Sequence, residues 1–259
     1  MAAIRLKTSQ QIEQIGRAGQ VVRKVLNRLG EMIAPGVTTK ELDDEAGRLC
    51  QQAGAECLFR GVVIYPEAGP FPGNICASIN EEVVNGVPSD RAVQPGDIIS
   101  IDFGAKLDGW CGDAAETFPV GEVDGRVRRL VDVTRNTLEL AVRMCRPGEK
   151  WSNIARAMQE YVQGEGFSVV RDFVGHGIGK DMHEPPRVPN FVSRELLARD
   201  ILLQPGLVLA VEPMVNMGSA DCSYSRDRWP VLTGDRKASA HFEHTLAITA
   251  KGVQVLTGD

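Results

Sequence analysis

The chain has 259 residues, 43% of them apolar and 24% charged, and its 29 basic and 34 acidic side chains leave a net charge of −5. These proportions are those of a globular protein, and they exclude a disordered chain, a collagen and a disulfide scaffold. A mildly acidic chain with no dense basic run is not built around nucleic acid as its main partner.

The first twenty residues are polar and charged, so no signal peptide is expected. Ser9 is placed to cap a helix whose apolar positions Ile12, Ile15, Val22, Val25, Leu26 and Leu29 recur at helical spacing. Thr38-Thr39-Lys40-Glu41 predicts the cap of a second helix ending near Gly54. Residues 98–103 and 110–118 predict two strands, joined at Asp108-Gly109 by a tight hairpin turn. Residues 126–145 and 150–163 predict a second helix pair, and 208–212 and 242–248 two further strands. Helix, helix, then strands, twice over, is an α+β pattern. No apolar run reaches the roughly 20 residues of a membrane span. The six cysteines, Cys50, Cys57, Cys76, Cys111, Cys145 and Cys222, form no Cys-x-x-Cys pair. They read as small buried side chains in a reducing compartment, and a cytoplasmic location is expected.

The chain also repeats itself. Gln94-Pro95-Gly96, an apolar run and Asp102 match Gln204-Pro205-Gly206, an apolar run and Glu212, at an offset of 110 residues. Met32-Ile33-Ala34-Pro35-Gly36 matches Met144-Cys145-Arg146-Pro147-Gly148 at an offset of 112. Two matches in the same order predict a duplicated unit, with halves at about 10–120 and 124–250 around a shared interface. The period is too long for a solenoid.

The repeat gives particular carboxylates a meaning. With Asp108-Gly109 as a two-residue turn, residue 102 faces residue 115, and Asp113 lies on the same face as Asp102. A carboxylate ending the apolar run Ile-Ile-Ser-Ile-Asp is exposed, paired or bound to a cation. Glu212 stands in the same place in the second copy. The four histidines, His176, His183, His241 and His244, all fall in the second half. His176 sits in Gly-His-Gly-Ile-Gly, where the glycines let the backbone approach closely. That spacing is not a dinucleotide fingerprint. His183 precedes Glu184-Pro185-Pro186 and cannot lie inside a regular helix. If 242–248 is one strand, Glu243 and His244 point to opposite faces, and only one of them faces the site. Taken singly, each of these residues also fits an ordinary structural role. Together, two aspartates, two glutamates and one histidine suit two adjacent divalent metals. Without metal, four carboxylates in one pocket would repel.

From about residue 12 to 255 the chain resembles the methionine aminopeptidases, most nearly the bacterial type 1 group without the N-terminal zinc-finger extension. The matching stretches are Ile-Asp-Phe-Gly (101–104), Asp-Gly-Trp-Cys-Gly-Asp (108–113), Gly-His-Gly-Ile-Gly (175–179), His-Glu-Pro-Pro (183–186), Val-Glu-Pro-Met (211–214) and Phe-Glu-His-Thr (242–245). Any one is weak; their order and spacing carry the resemblance. It implies the duplicated pita-bread fold, with residues 1–259 as one catalytic domain. It implies removal of the N-terminal methionine from nascent or newly made proteins by a hydroxide activated between two divalent ions, with iron, manganese, cobalt and zinc all open. Asp102, Asp113, His176, Glu212 and Glu243 would be the ligands, Asp113 and Glu243 bridging both ions. Glu212 would also shuttle the proton, and His183 would hydrogen-bond the scissile amide or the developing oxyanion. Cys57, Phe71, Cys76 and Trp229 would help wall the methionine pocket.

The chain departs from the family pattern in three places. Asn85 stands where the family carries a histidine, and it can place a substrate but cannot carry a proton at neutral pH. The stretch 64–74 is a few residues longer than the family's Tyr-Pro segment, with Phe71-Pro72 standing in its place. His241 replaces a more usual glutamine.

The partner implied is the extended N-terminus of a polypeptide. Contact with the ribosome is left open, no membrane is involved, and a monomer is expected. Two other readings are an Xaa-Pro peptidase or creatinase-like enzyme on the same fold, and a catalytically weakened pita-bread protein that binds partners. The first usually carries an extra N-terminal domain for which this chain has no room. The second typically loses ligands, and all five candidates are intact here, with Asn85 alone in its favour.

Overall fold

The computed structural model describes residues 4–64, 66–224 and 229–258. Tyr65, at the head of the longer stretch noted above, lies outside the described residues.

The first half opens with helices α1 (Ser9–Met32) and α2 (Thr39–Gln52). The six apolar positions expected to face inward on α1 are all buried. Its cap is Thr8 rather than Ser9: the Thr8 hydroxyl accepts from the Gln11 N–H, and the Gln11 side chain returns a bond to the Thr8 N–H. A cap at Ser9 would put Ile12 at the third helical position, where no side-chain acceptor exists to close the box. Thr38 and Glu41 close the same box on α2, as the sequence predicts.

Strands β1 (Glu56–Cys57), β2 (Cys76–Ile79), β3 (Glu82–Val84), β4 (Ile98–Leu107) and β5 (Trp110–Pro119) follow. A single 3-10 turn, Pro66–Ala68, interrupts the stretch before β2. Asp108 and Gly109 both take positive φ, 50° and 81°, as a type I′ hairpin turn requires. The register is the expected one, with Asp102 opposite Ala115. The other edge of β4 carries β2 and then β1.

The second half repeats the plan with α3 (Gly125–Met144) and α4 (Trp151–Gly164). Its strands are β6 (Ser168–Val169), β7 (Gly175–Gly177) and β8 (Glu184–Val188), then, after a short helix α5 (Arg194–Ala198), β9 (Val208–Val211) and β10 (Met214–Asn216). β11 (Cys222–Tyr224), β12 (Val231–Thr233), β13 (Ser239–His241), β14 (His244–Thr249) and β15 (Gly252–Val255) complete it. One sheet runs β15-β14-β9-β7-β8.

The duplicated turns form the same bonds twice. The Gly96 N–H donates to the Val120 carbonyl and the Gly206 N–H to that of Ile248, at 2.9 and 2.8 Å. Gly36 donates to Val93 and Gly148 to Leu203, each at 2.8 Å. All four glycines have φ between 84° and 96°, a conformation L side chains rarely adopt. The repeated Pro-Gly pairs are therefore repeated geometry, not coincidence of composition.

Two expected strands are shorter than the sequence suggests. β9 stops at Val211, because Pro213 has no N–H to continue the ladder. The predicted strand 242–248 lacks its first two residues, with β13 ending at His241 and β14 starting at His244. The register is continuous across both breaks: Val211 faces His244 and Met214 faces His241. Glu212 and Glu243 therefore stand opposite each other in the gap between two ladders.

That gap also joins the halves. The Glu243 N–H donates to the Ala115 carbonyl at 2.8 Å, and the Ala115 N–H returns to the Glu243 carbonyl at 3.4 Å. Along every strand through this seam, alternate side chains go to opposite faces. Ile99, Ile101 and Phe103 pack beneath α1 and α2 with Val22, Leu26, Leu29 and Leu42. Leu209, Val211, Phe242, Leu246 and Ile248 pack with Leu130, Val133, Trp151 and Ile154 of α3 and α4. Ser100, Asp102 and Gly104, and likewise Ala210 and Glu212, alternate with those residues and share the other face.

Candidate metal centre

Two cross-strand rows on that face hold all five candidate ligands. One row reads Cys76, Asp102, Ala115, Glu243, Glu212, linked by the strand registers and the Ala115–Glu243 bonds. The next, two residues along each strand, reads Gly104, Asp113, Thr245, Ala210, His176. There the Asp113 N–H donates to Thr245 Oγ1 at 3.1 Å, and that hydroxyl donates to the Asp113 carbonyl at 2.8 Å. The intervening side chains are small, so the carboxylates and the imidazole meet over a floor of Ala, Gly and Thr. A methyl on Gly104 would lie 3.2 Å from Asp113 Oδ1 and 3.2 Å from Phe59 Cε1, so even alanine would crowd this floor.

Asp113, His176 and Glu243 each offer a ligand atom within 4.8 Å of the others, and all three are buried. His176 Nε2 lies 3.6 Å from Glu212 Oε1. Asp102 Oδ1, Asp113 Oδ1 and Glu243 Oε1 are buried without a hydrogen-bond partner. Buried carboxylate oxygens without partners are costly, and a cation is the natural partner for such a group. The donor set, oxygens with one nitrogen, fits a divalent transition metal.

The electrostatics agree. Burial, then the charges of Asp113 and Glu212, push the Asp102 carboxyl well above the usual range. Burial, then Asp113, does the same to Glu212, and burial with Asp113, Glu212 and Asp102 to Glu243. Burial raises Asp113 to about 7, against the opposing pull of the Ala114 N–H. Burial and His183 push His176 down to about 4. His176 is thus neutral, and its Nδ1 lies 2.9 Å from the Gly177 carbonyl. Donation there leaves the Nε2 lone pair facing the carboxylates.

A pH dependence follows. An acid whose folded pKa is raised keeps its proton longer in the folded state than in the unfolded one. Metal-free protein therefore loses stability as pH rises from about 4, the ordinary carboxylate value, to about 7 for Asp113. Metal binding needs the ionised forms and reverses the trend. The gain in melting temperature on adding Mn²⁺ is expected to be several degrees larger at about pH 7.5 than at about pH 5.5. Equal gains at both would contradict it.

The three glycines around His176 serve close approach. A Cβ at Gly175, Gly177 or Gly179 would lie 2.4, 2.3 or 2.5 Å from Ala210 O, Pro185 O or Glu184 Oε1. His183 is exposed on the open side, its ring edge-on to His176 with centroids 4.3 Å apart. Asn85 has φ 61°, a left-handed conformation that asparagine and histidine tolerate better than most residues. Its backbone N–H bonds the Cys76 thiol, which places it beside the first row.

Phe59, Phe71, Cys76 and Trp229 form a separate buried apolar cluster, with Phe71 and Trp229 edge-to-face at 5.0 Å. Cys76 belongs both to this cluster and to the row of Asp102, so the apolar pocket adjoins the carboxylates. Cys57 is not in the cluster. It packs with the first-half core, its thiol hydrogen-bonded to that of Cys50. Phe59 holds the position beside Phe71 instead. His244 faces the other way and lines, with Arg23 and Glu116, a cavity of about 350 Å³ on the helix side.

No pattern in the sequence links Lys7 to Glu184. Lys7 Nζ donates to Glu184 Oε2 at 2.6 Å, and both side chains are 5% exposed. Burial raises the Glu184 carboxyl, but Lys7 and the N–H groups of Asp181 and Lys180 outweigh it and leave it below the ordinary value. The pair ties the N-terminal segment to the loop bearing His183. Lys7→Met strands a buried carboxylate and is expected to cost about 3 kcal/mol in a denaturant melt. A loss under about 1 kcal/mol would show the pair to be solvated.

Fold and site together define a metallopeptidase. Residues 13–250 match metallopeptidase family M24, and the chain belongs to that family. Within it the chain stands among the methionine aminopeptidases. It is 45% identical to methionine aminopeptidase 1 of Bacillus subtilis over 97% of this chain and 98% of that one. It is 39% identical to methionine aminopeptidase of Escherichia coli K12, over 98% of this chain and 94% of that one. The crystal structure of methionine aminopeptidase from Thermotoga maritima superposes with a TM-score of 0.93 at 38% identity, covering 99% of this chain and all of that one. An Xaa-Pro dipeptidase from Bacillus anthracis shares the fold alone, at 21% identity and a TM-score of 0.76, and this chain covers 62% of its length.

Proposed function

We propose that the protein removes the N-terminal methionine from polypeptide chains, with Asp102, Asp113, His176, Glu212 and Glu243 holding two divalent ions. The observation that carries this reading is the convergence of four carboxylates and a neutral imidazole, with buried oxygens unpartnered, beside an apolar pocket. Iron, manganese, cobalt and zinc all suit the donors. Once bound, the ions would supply Lewis acidity and a water of near-neutral pKa as nucleophile toward the first carbonyl.

The chain's own residues do the rest. Phe59, Phe71, Cys76 and Trp229 take up the unbranched, polarizable methionine side chain. Glu212, with 14% of its side-chain surface open, takes a proton and returns it to the leaving amine. His183, on the open side next to His176, hydrogen-bonds the scissile amide or the oxyanion. Asn85 positions the substrate without titrating. The whole of 1–259 acts as one catalytic domain, with halves of about 10–120 and 124–250 each contributing ligands. Among the described residues no helix is long and apolar enough to cross a membrane. A cytoplasmic enzyme acting as a monomer on new N-termini, at or near the ribosome, is the setting this reading implies.

The test is peptide selectivity by mass spectrometry in the presence of Mn²⁺. Methionine is expected to leave Met-Ala-Ser, with Leu-Ala-Ser and Ala-Pro-Ser left intact. Preferred cleavage before proline would favour the Xaa-Pro reading instead. The Asn85→His variant belongs in the same series. Cleavage by the variant and none by the native chain would favour the catalytically weakened binding protein.

A further inference from the structure

His241 is 2% exposed, and its Nε2 is buried with no hydrogen-bond partner. Its place is closely fixed. The His241 N–H donates to Thr117 Oγ1 at 2.9 Å, and that hydroxyl donates back to the His241 carbonyl at 2.8 Å. On the other side His241 pairs with Met214. It therefore belongs to the next cross-strand row, Ser100, Thr117, His241, Met214, on the same face as the carboxylates. Its Nε2 lies 3.9 Å from Oε2 of Glu212, which stands in the break between β9 and β10.

Glu212 is held at its backbone, where its carbonyl accepts from Asn190 Nδ2 at 3.0 Å. What the backbone leaves free is the torsion of the carboxylate. Oε1 faces His176 Nε2 at 3.6 Å and Oε2 faces His241. At 3.9 Å the pair stands just beyond hydrogen-bond reach, with the Nε2 otherwise unpartnered. We propose that His241 is a positioning residue for Glu212, donating from Nε2 to Oε2 and so holding Oε1 toward His176 and the ligand cluster. The inference rests on the metal reading of this cluster and adds to it a residue that fixes one ligand's orientation.

The test compares native protein, His241→Gln and His241→Leu by calorimetric Mn²⁺ titration and by kinetics on Met-Ala-Ser. Glutamine keeps an N–H donor; leucine fills the space without one. His241→Leu is expected to weaken Mn²⁺ binding about 10–100-fold and to lower kcat with KM little changed. His241→Gln is expected to restore most of both. Unchanged binding in His241→Leu, or a glutamine variant as weak as the leucine one, would overturn the proposal. Should the leucine variant not fold, the glutamine variant decides alone: binding within about threefold of native supports the donor role, and a larger loss overturns it. Absence of binding by the native protein would instead overturn the metal reading itself, so the two failures are distinguishable.

Discussion

Asp113→Asn is expected to abolish tight Mn²⁺ binding and to slow methionine release by about 10³-fold or more. At the same time the metal-free variant is expected to melt above the metal-free native protein. Both effects have one cause. Asp113 is central to the cluster, with a ligand atom within 4.8 Å of those offered by His176 and Glu243. Its charge raises the Asp102, Glu212 and Glu243 carboxyls. Asparagine keeps the shape and an acceptor oxygen for the Ala114 N–H but removes the charge. The remaining carboxylates then repel less, which stabilises the empty site, and a cation loses a ligand. For a chain of this size the rise is about 2–4 °C for each kcal/mol of repulsion relieved. A purely structural aspartate would give the opposite pattern, a lower melting temperature with metal binding kept. Calorimetric titration and a thermal melt on one preparation decide between them.

Glu212→Gln is expected to lower kcat by about 10²–10⁴-fold with KM nearly constant. The amide keeps one oxygen for coordination, so metal affinity falls less than in Asp113→Asn. What it loses is a group that can carry a proton between nucleophile and leaving amine. Steady-state kinetics on Met-Ala-Ser, at Mn²⁺ high enough to saturate both proteins, check this. A kcat within tenfold of native would remove Glu212 from proton transfer and leave it as a ligand only.

The geometry of the cluster could be read in part from the residues. The Asp108-Gly109 turn set the hairpin register, which put Asp113 beside Asp102 on one face. The Gln-Pro-Gly repeat identified Glu212 as the partner of Asp102, and the matching glycine bonds of the two halves bear out that equivalence. The seam between the halves could not be read this way. Ala115 and Glu243 are far apart in the chain, and no local pattern says that their backbones pair. Nor does periodicity show the breaks at Glu212 and Glu243, because Phe242 through Ile248 reads as one uninterrupted strand. β1, β2 and β3 span two to four residues each, too few for alternation to declare itself. The Lys7–Glu184 pair joins segments with no shared pattern. Cys57, grouped by sequence with the apolar pocket, is drawn instead to Cys50 and the first-half core.

On the proposed reading, a metal held across the two halves makes this chain an aminopeptidase. Mass spectrometry of Met-Ala-Ser incubated with metal-stripped protein, before and after adding Mn²⁺, is the measurement that decides this. The expected result is an intact peptide without metal and loss of the first methionine once Mn²⁺ is restored. Equal release in both samples, or none in either, would contradict a metal-dependent aminopeptidase.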